Sequence, residues 1–433
     1  MKVSIPYGKS SVSCEIPDAR VRGVLYSHAH DYKANSRSPN PETDLVREAL
    51  EAPVDSPPLR ELARGKHRVV VITSDHTRPV PSAVTIPVLL KEIRAGNPEV
   101  EVTILVATGM HRDMTKEEIA ARFGAEVAAG EKIAVHDSHD DANLVSLGTL
   151  PSGGELVINR LAVDCDLLVA EGFIEPHFFA GFSGGRKAVL PGIAGYRTVL
   201  ANHCAEFISH DRARTGILDG NPIHGDMIFA AKAAKLAFIL NVVLNADKKI
   251  IAAFAGDTDA AHRRGCDFLK ELAGVKSVPA DIVITGNGGY PLDQNIYQAV
   301  KCMTGAEASI NPGGVIVVAS ECSDGHGGAA FYDTFRDTRS PEEVMRAICA
   351  RGRNETLPDQ WQIQIFMRIL LKHKVILAAS VPPEMIEHLG MIPAPGFPSA
   401  SSLDAALAAA GRILGKDDAS VTVIPDGVAV IVE

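Results

Sequence analysis

Five short segments of this chain gather residues that can bind anions, move protons or hold a metal. Ser74-Asp75-His76-Thr77-Arg78-Pro79 sets a carboxylate close to a guanidinium. An arginine fork suits a carboxylate or phosphate; the competing reading makes Asp75 a helix N-cap and leaves Arg78 on the surface. In Ala107-Thr108-Gly109-Met110-His111-Arg112, His111 follows an apolar run. An imidazole that titrates near neutrality is a candidate general base, although a loop histidine can equally be merely solvated. The most unusual run is Glu175-Pro176-His177-Phe178-Phe179-Ala180-Gly181-Phe182-Ser183-Gly184-Gly185-Arg186-Lys187. Ser183, Gly184, Gly185 and Lys187 form a loop whose backbone N–H groups can approach an anion. Ala188 stands where a nucleoside-triphosphate loop needs Ser or Thr, so Lys187 is left for a covalent or charge role. A tight structural turn explains the glycines but not His177 together with Lys187. His203 offers an imidazole suited to nickel, copper, zinc or iron, and is as readily a core residue. Beyond Gly288, helical spacing puts Tyr297, Gln298 and Lys301 on one face, a set fit for a carboxylate or for plain solvent exposure. Trp361, the only tryptophan, is a core anchor or a stacking platform.

The elements that must position these groups follow a repeating pattern. Val69–Ile72 and Val102–Ala107 read as buried strands that end at the Asp75 and His111 clusters. Helices follow from about Ala83 and over Lys116–Phe123, and Leu167–Ala170 is a further strand before the glycine-rich loop. Strand, polar turn and helix is the unit of a parallel α/β sheet, and its ligands sit outside the carboxyl ends of the strands. Phe238–Leu244 and Ile250–Ala255 predict a β-hairpin, and Asp259–Ala273 a helix. A second series opens with a strand over Ile282–Thr285 and continues with strands at Gly314–Ala319 and Val375–Ala379. Its helices are expected over Asn295–Gly305, Pro341–Ala350, Gln360–Leu371 and Ser402–Leu414, and its last strands over Val421–Ile424 and Val428–Val432. The first twenty residues alternate as a two-stranded edge element, and a mixed stretch rich in Pro, Asp and Ser runs from about Ser38 to Pro58. The expectation is an α/β protein with two α/β domains, mainly parallel sheets and the active site in the cleft between them. An N-terminal domain spans 1–275, a C-terminal domain spans 276–415, and strands in 416–433 can return to the first.

Composition narrows the function classes. With 433 residues, 46% hydrophobic and 22% charged, the chain has the make-up of an ordinary globular protein. A formal charge of −10 argues against a general nucleic-acid binder, which needs a basic surface. Seven cysteines without a CxxC pair fit a reduced compartment. The first residues lack the apolar core of a signal peptide, and no stretch reaches the ~20 apolar residues of a membrane helix. The expected location is the cytoplasm, with no membrane or nucleic-acid partner.

Taken together and in order, these motifs resemble the lactate racemase family over nearly the whole chain. The resemblance rests on Asp75-x-Thr-Arg78-Pro, Thr-Gly-x-His111, Glu-Pro-His177, Gly-Phe-Ser-Gly-Gly-Arg-Lys187, His203, and Gly-Tyr-Pro-Leu-Asp-Gln-Asn-x-Tyr297-Gln298-x-x-Lys301. It implies racemisation or epimerisation of a 2-hydroxy acid by a nickel-pincer nucleotide (pyridinium-3-thioamide-5-thiocarboxylic acid mononucleotide nickel), bound covalently to Lys187. His203 would be the protein's nickel ligand, and His111 and His177 the acid–base pair. Arg78, Tyr297, Gln298 and Lys301 would bind the substrate, Trp361 would pack near the cofactor, Asp75 would orient the site, and Ser183, Gly184 and Gly185 would line the cofactor loop. Separate proteins would make the cofactor. The chemistry is consistent, because an α-hydrogen beside a carboxylate leaves more easily as hydride than as a proton, and no side chain accepts hydride. Three rivals stand beside this reading. A nicotinamide dehydrogenase lacks its strand-linked GxGxxG. A zinc-dependent hydrolase would use His111, His177 and His203 as ligands. A non-catalytic cofactor-storage protein would keep the same pocket.

Overall fold

The computed structural model describes residues 1–29, 31–32, 39–335 and 340–433. They form two compact units, one of residues 28–203 and 210–272, the other of residues 1–27, 204–209 and 273–433.

The first unit is built on a six-stranded sheet, in the order Ile250–Gly256, Leu236–Leu244, Leu167–Phe173, Arg68–Ser74, Glu101–Ala107, Lys132–Val135. All neighbours are parallel except the edge pair Leu236–Leu244 and Ile250–Gly256, which is the expected hairpin. Val69, Val70, Val71 and Ile72 are all buried, as a strand covered on both faces requires. The helix Lys116–Phe123 begins with a capping box between Thr115 and Glu118. Within the mixed stretch, Ser38 lies outside the described residues. The described part contains the helix Pro41–Glu51, whose Val46 and Leu50 repeat at helical spacing and enter the core.

The second unit has a fully parallel six-stranded sheet, in the order Ile392–Pro393, Lys374–Ala378, Ile310–Ala319, Ala280–Gly286, Val421–Ile424, Val21–Val24. The sequence reading put residues 1–275 in one domain, whereas the first 27 residues and 204–209 belong with the C-terminal sheet. The reason is pairing and packing. Val21–Val24 hydrogen-bonds in parallel to Val421–Ile424, and the hairpin Lys2–Tyr7 and Ser10–Glu15 sends Val3, Ile5, Val12 and Cys14 into that sheet's core. The last strand is Ile431–Val432, and it pairs with Gly274–Val275 of the same unit.

Candidate active site

In the first unit the chain enters the sheet at Arg68–Ser74 and builds outward on one side to Lys132–Val135. It then returns to lay Leu167–Phe173 on the other side of the first strand. This reversal is a topological switch point, where the loops beyond two neighbouring strands diverge and leave room for a ligand. The expected clusters issue from these strand ends. Asp75 and Arg78 follow Ser74, His177 and Lys187 follow Phe173, and His111 follows the adjoining strand Glu101–Ala107. Beneath the switch point the buried Glu171 accepts hydrogen bonds from Thr73 Oγ1 (2.5 Å), Ser82 Oγ (3.0 Å) and Thr85 Oγ1 (2.5 Å). Three hydroxyls from a strand and a helix thus brace a buried carboxyl and hold the two diverging strands together.

His111 is set up by Asp75. Its Nδ1 lies 2.7 Å from Asp75 Oδ2, and the Thr77 hydroxyl donates to Asp75 Oδ1 at 2.6 Å. A carboxylate only accepts, so the imidazole proton sits on Nδ1 and the lone pair on Nε2. Burial opposes the charge on Asp75. Its hydrogen bond to His111, the electrostatic attraction between the two side chains, the Thr77 hydroxyl and Arg78 outweigh that opposition and hold the carboxyl down at about 2. With the folded value depressed, the stabilisation is complete above the ordinary carboxylate range and is lost as pH falls through about 2. Asp75→Asn is expected to let the ring adopt the other tautomer and cost on the order of 10- to 100-fold in turnover with little change in KM. Steady-state kinetics on the cofactor-loaded protein check this; an unchanged kcat would remove Asp75 from the orienting role.

The glycine-rich loop folds around Arg186. This side chain is fully buried and donates to the carbonyls of Ala180 (2.7 Å), Phe182 (2.9 Å) and Gly184 (3.2 Å), and to His224 Nδ1 (3.0 Å). Burial, with a smaller push from the Arg263 charge, pulls its guanidinium down to about 10, still charged at neutrality. His262 donates from Nε2 to the Ser183 carbonyl at 2.7 Å. Burial and the adjacent Arg186 charge push His224 and His262 well below the usual histidine range, so both rings are neutral. Gly184 and Gly185 have φ of +78° and +53°. A Cβ on Gly184 would come within 2.7 Å of Asn241 Oδ1, and one on Gly185 within 2.8 Å of the His262 ring. The Ser183 hydroxyl donates to the Phe173 carbonyl and accepts from the Glu175 N–H, while the Gly185 N–H goes to Asn241 Oδ1. The loop therefore spends these groups on its own shape. Arg186→Met should take the guanidinium donors from the buried Ala180 and Phe182 carbonyls and lower stability by about 2–4 kcal/mol. Thermal or denaturant unfolding reads that loss, and a midpoint equal to that of the parent chain would contradict it.

That shape presents Lys187 half-buried, its Nζ 5.8 Å from the centre of the Phe179 ring. His177 and His203 meet the same ring nearly edge-on, at centroid distances of 4.5 and 5.1 Å. His203 is buried, and its Nδ1 lies 3.0 Å from the Val199 carbonyl. A carbonyl cannot donate, so Nδ1 carries the proton and Nε2 the lone pair. Burial first, then the Lys187 charge, bring His203 down to about 3, which keeps it neutral and fit to ligate a metal. His177 Nδ1 instead accepts the Ala180 N–H at 3.3 Å, so a neutral His177 holds its proton on Nε2. Among the described residues, no group of three or more His, Cys, Asp or Glu side chains is placed to hold a metal. His111, His177 and His203 therefore do not form the ligand set of a zinc hydrolase.

In the second unit Tyr297, Gln298 and Lys301 lie half-buried on the helix Ile296–Glu307, while Ala299 and Val300 between them enter the core. Asn295 caps that helix through the Gln298 N–H, and the Tyr297 hydroxyl donates to Asp359 Oδ1 at 3.0 Å. Trp361 is half-buried on the helix Gln360–Leu370. Sequence reasoning passed over Glu171, Arg186, Asn241 and His262. Glu171 gives a signal, a charge directly after the apolar run Leu167-Leu168-Val169-Ala170 and before Gly172-Phe173.

Two domain descriptions match the chain, lactate racemase N-terminal domain over residues 7–216 and lactate racemase C-terminal domain over residues 275–432. The chain belongs to the lactate racemase family. It is 55% identical over 431 residues to the lactate racemase of Thermoanaerobacterium thermosaccharolyticum, covering 99% of each chain. It is 50% identical over 432 residues to that of Lactiplantibacillus plantarum, covering 100% of this chain and 99% of the relative. The structure of the lactate racemase apoprotein from T. thermosaccharolyticum matches it with a TM-score of 0.94 at 53% identity, over 100% of both chains. A Thermotoga maritima protein, at 18% identity and a TM-score of 0.65 over 93% of this chain and 100% of its own, shares the fold alone. As a member of the lactate racemase family the chain is a lactate racemase-like isomerase, and no described helix is long and apolar enough to cross a membrane.

Proposed function

We propose that this chain inverts the hydroxyl-bearing carbon of lactate or a related 2-hydroxy acid such as malate, using a nickel-pincer nucleotide tethered to Lys187. The observation that carries this is a single neutral imidazole, His203, grouped with Lys187 and His177 around one aromatic ring. A metal held there by one protein nitrogen needs further ligands from outside the chain, and a lysine amine can anchor an organic group that supplies them. His203 fits the role, since its proton is committed to Val199 and its other nitrogen carries the lone pair. When bound, the nucleotide supplies what no side chain can, an acceptor for hydride.

The chain's own residues do the rest. His111 Nε2 takes the hydroxyl proton of one enantiomer, with Asp75 stabilising the imidazolium that results. His177 serves the other enantiomer, because inversion needs a proton donor and acceptor for each hand. Arg78 binds the substrate carboxylate as a planar fork, and Tyr297, Gln298 and Lys301 are assigned to the carboxylate and hydroxyl. Trp361 would pack near the cofactor ring, and Ser183, Gly184 and Gly185 shape the loop that presents Lys187. The partners are then a small hydroxy acid and the separate proteins that make the nucleotide, in the reduced compartment that seven free cysteines suit, the cytoplasm.

The test is chiral analysis of single-enantiomer 2-hydroxy acids incubated with protein co-produced with the cofactor-making enzymes. Lactate should racemise without added nicotinamide cofactor. Protein with bound nickel and a shifted intact mass that leaves every acid optically pure would point instead to cofactor storage.

A further inference from the structure

The Phe179 ring meets three of the side chains assigned to the proposed chemistry. The ring is buried at 3% exposure, and three functional side chains surround it. His177 approaches at 4.5 Å with the planes at 81°, His203 at 5.1 Å and 82°, and Lys187 Nζ stands over the ring at 5.8 Å. The backbone is pinned on either side of the ring. Asn221 Nδ2 donates to the Phe179 carbonyl at 2.8 Å, and Arg186 Nη2 to the next carbonyl, Ala180, at 2.7 Å. Both imidazoles stand nearly perpendicular to the ring, an edge-to-face arrangement that sets direction as well as distance. An ammonium over the ring's electron-rich face is drawn to it.

We propose that Phe179 is a positioning residue that fixes the tether lysine, the metal-ligand histidine and one acid–base histidine relative to one another. This rests on the racemase reading of Lys187, His203 and His177. A branched aliphatic side chain of similar volume fills the space but offers no flat face, so both imidazoles would turn and shift. A displacement near 1 Å among reacting groups is enough to cost about 100-fold in rate. The aromatic face, not the volume, is the property that matters.

The experiment compares Phe179→Leu and Phe179→Tyr with the parent holoenzyme, all co-produced with the cofactor-making proteins. Intact mass, nickel content, the visible absorption of the bound nickel, melting temperature and kinetics are measured on each. Phe179→Leu is expected to keep the cofactor mass, lose about 100-fold in kcat with KM within about 3-fold, and shift the nickel absorption. Phe179→Tyr should stay within about 10-fold of the parent with the absorption unmoved. Equal losses in the two variants with an unchanged spectrum, or no loss in Phe179→Leu, overturn the proposal. If Phe179→Leu does not accumulate as folded protein, Phe179→Met is held to the same criteria. Should the parent holoenzyme racemise nothing, the function reading fails, while the spectral comparison still decides whether Phe179 positions His203.

Discussion

Lys187→Ala should abolish racemisation entirely, and the intact mass of the purified protein should equal that of the bare chain. The parent protein made beside it should carry the mass of one nucleotide. The argument turns on bond type. A charge partner can be replaced by arginine, whereas an amine that forms a thioamide cannot, because a guanidinium is a poor nucleophile at neutral pH. Lys187→Arg should therefore fail as completely as Lys187→Ala. Either change should leave the fold intact, since both keep the Arg186 hydrogen bonds to His224 and to the carbonyls of Phe182 and Ala180. Chiral chromatography and mass spectrometry on the same preparations give the answer. Turnover by Lys187→Arg above that of a cofactor-free blank would sink the covalent tether.

His111→Gln should lower kcat by about 100- to 10,000-fold while the tethered mass and the nickel remain. Glutamine keeps polarity and much of the volume but has no basic lone pair near neutrality. Racemisation of an enantiomer pair has an equilibrium constant of unity, so kcat/KM must fall by the same factor from either hand. Progress curves started from each pure enantiomer test both statements. Retention of more than about a tenth of the parent rate would mean that another group takes the hydroxyl proton.

Much of the scaffold was legible in the sequence because parallel α/β units repeat a simple pattern. Val69–Ile72 is an unbroken apolar run and Val102–Ala107 is interrupted only by Thr103; both stop at polar turns and both form interior buried strands. The hairpin at Leu236–Gly256 showed itself by the polar turn between two apolar runs. Harder to read were features that depend on distant partners. Nothing in Val21–Val24 announces that it will pair with Val421–Ile424, since a short strand takes its neighbour from the whole fold. The helix Pro41–Glu51 was hidden by the prolines and acidic residues around it, although Val46 and Leu50 carry the spacing. At the site, His111 and Asp75 each stood out, but their 2.7 Å contact joins loops 36 residues apart. In the sequence Arg186 is one more polar residue of a glycine-rich loop. Only its complete burial reveals that the loop is wrapped around it.

The path of the chain bears on how such a protein can be inherited. The strand Val21–Val24 lies near the start of the sequence yet forms an edge of the sheet whose other strands all follow residue 279. The helix Ala205–Ser209 interrupts one unit to join the other, where Gln364 holds it through the Ala205 carbonyl at 2.8 Å and the Ser209 hydroxyl at 2.7 Å. No single cut separates the two units. Recombination that exchanged everything after residue 272 would graft a sheet lacking its own edge strand, and would leave a helix without the residues that grip it. Lineages of this architecture should vary by substitution within the loops rather than by shuffling domains, and the two halves should carry one shared ancestry.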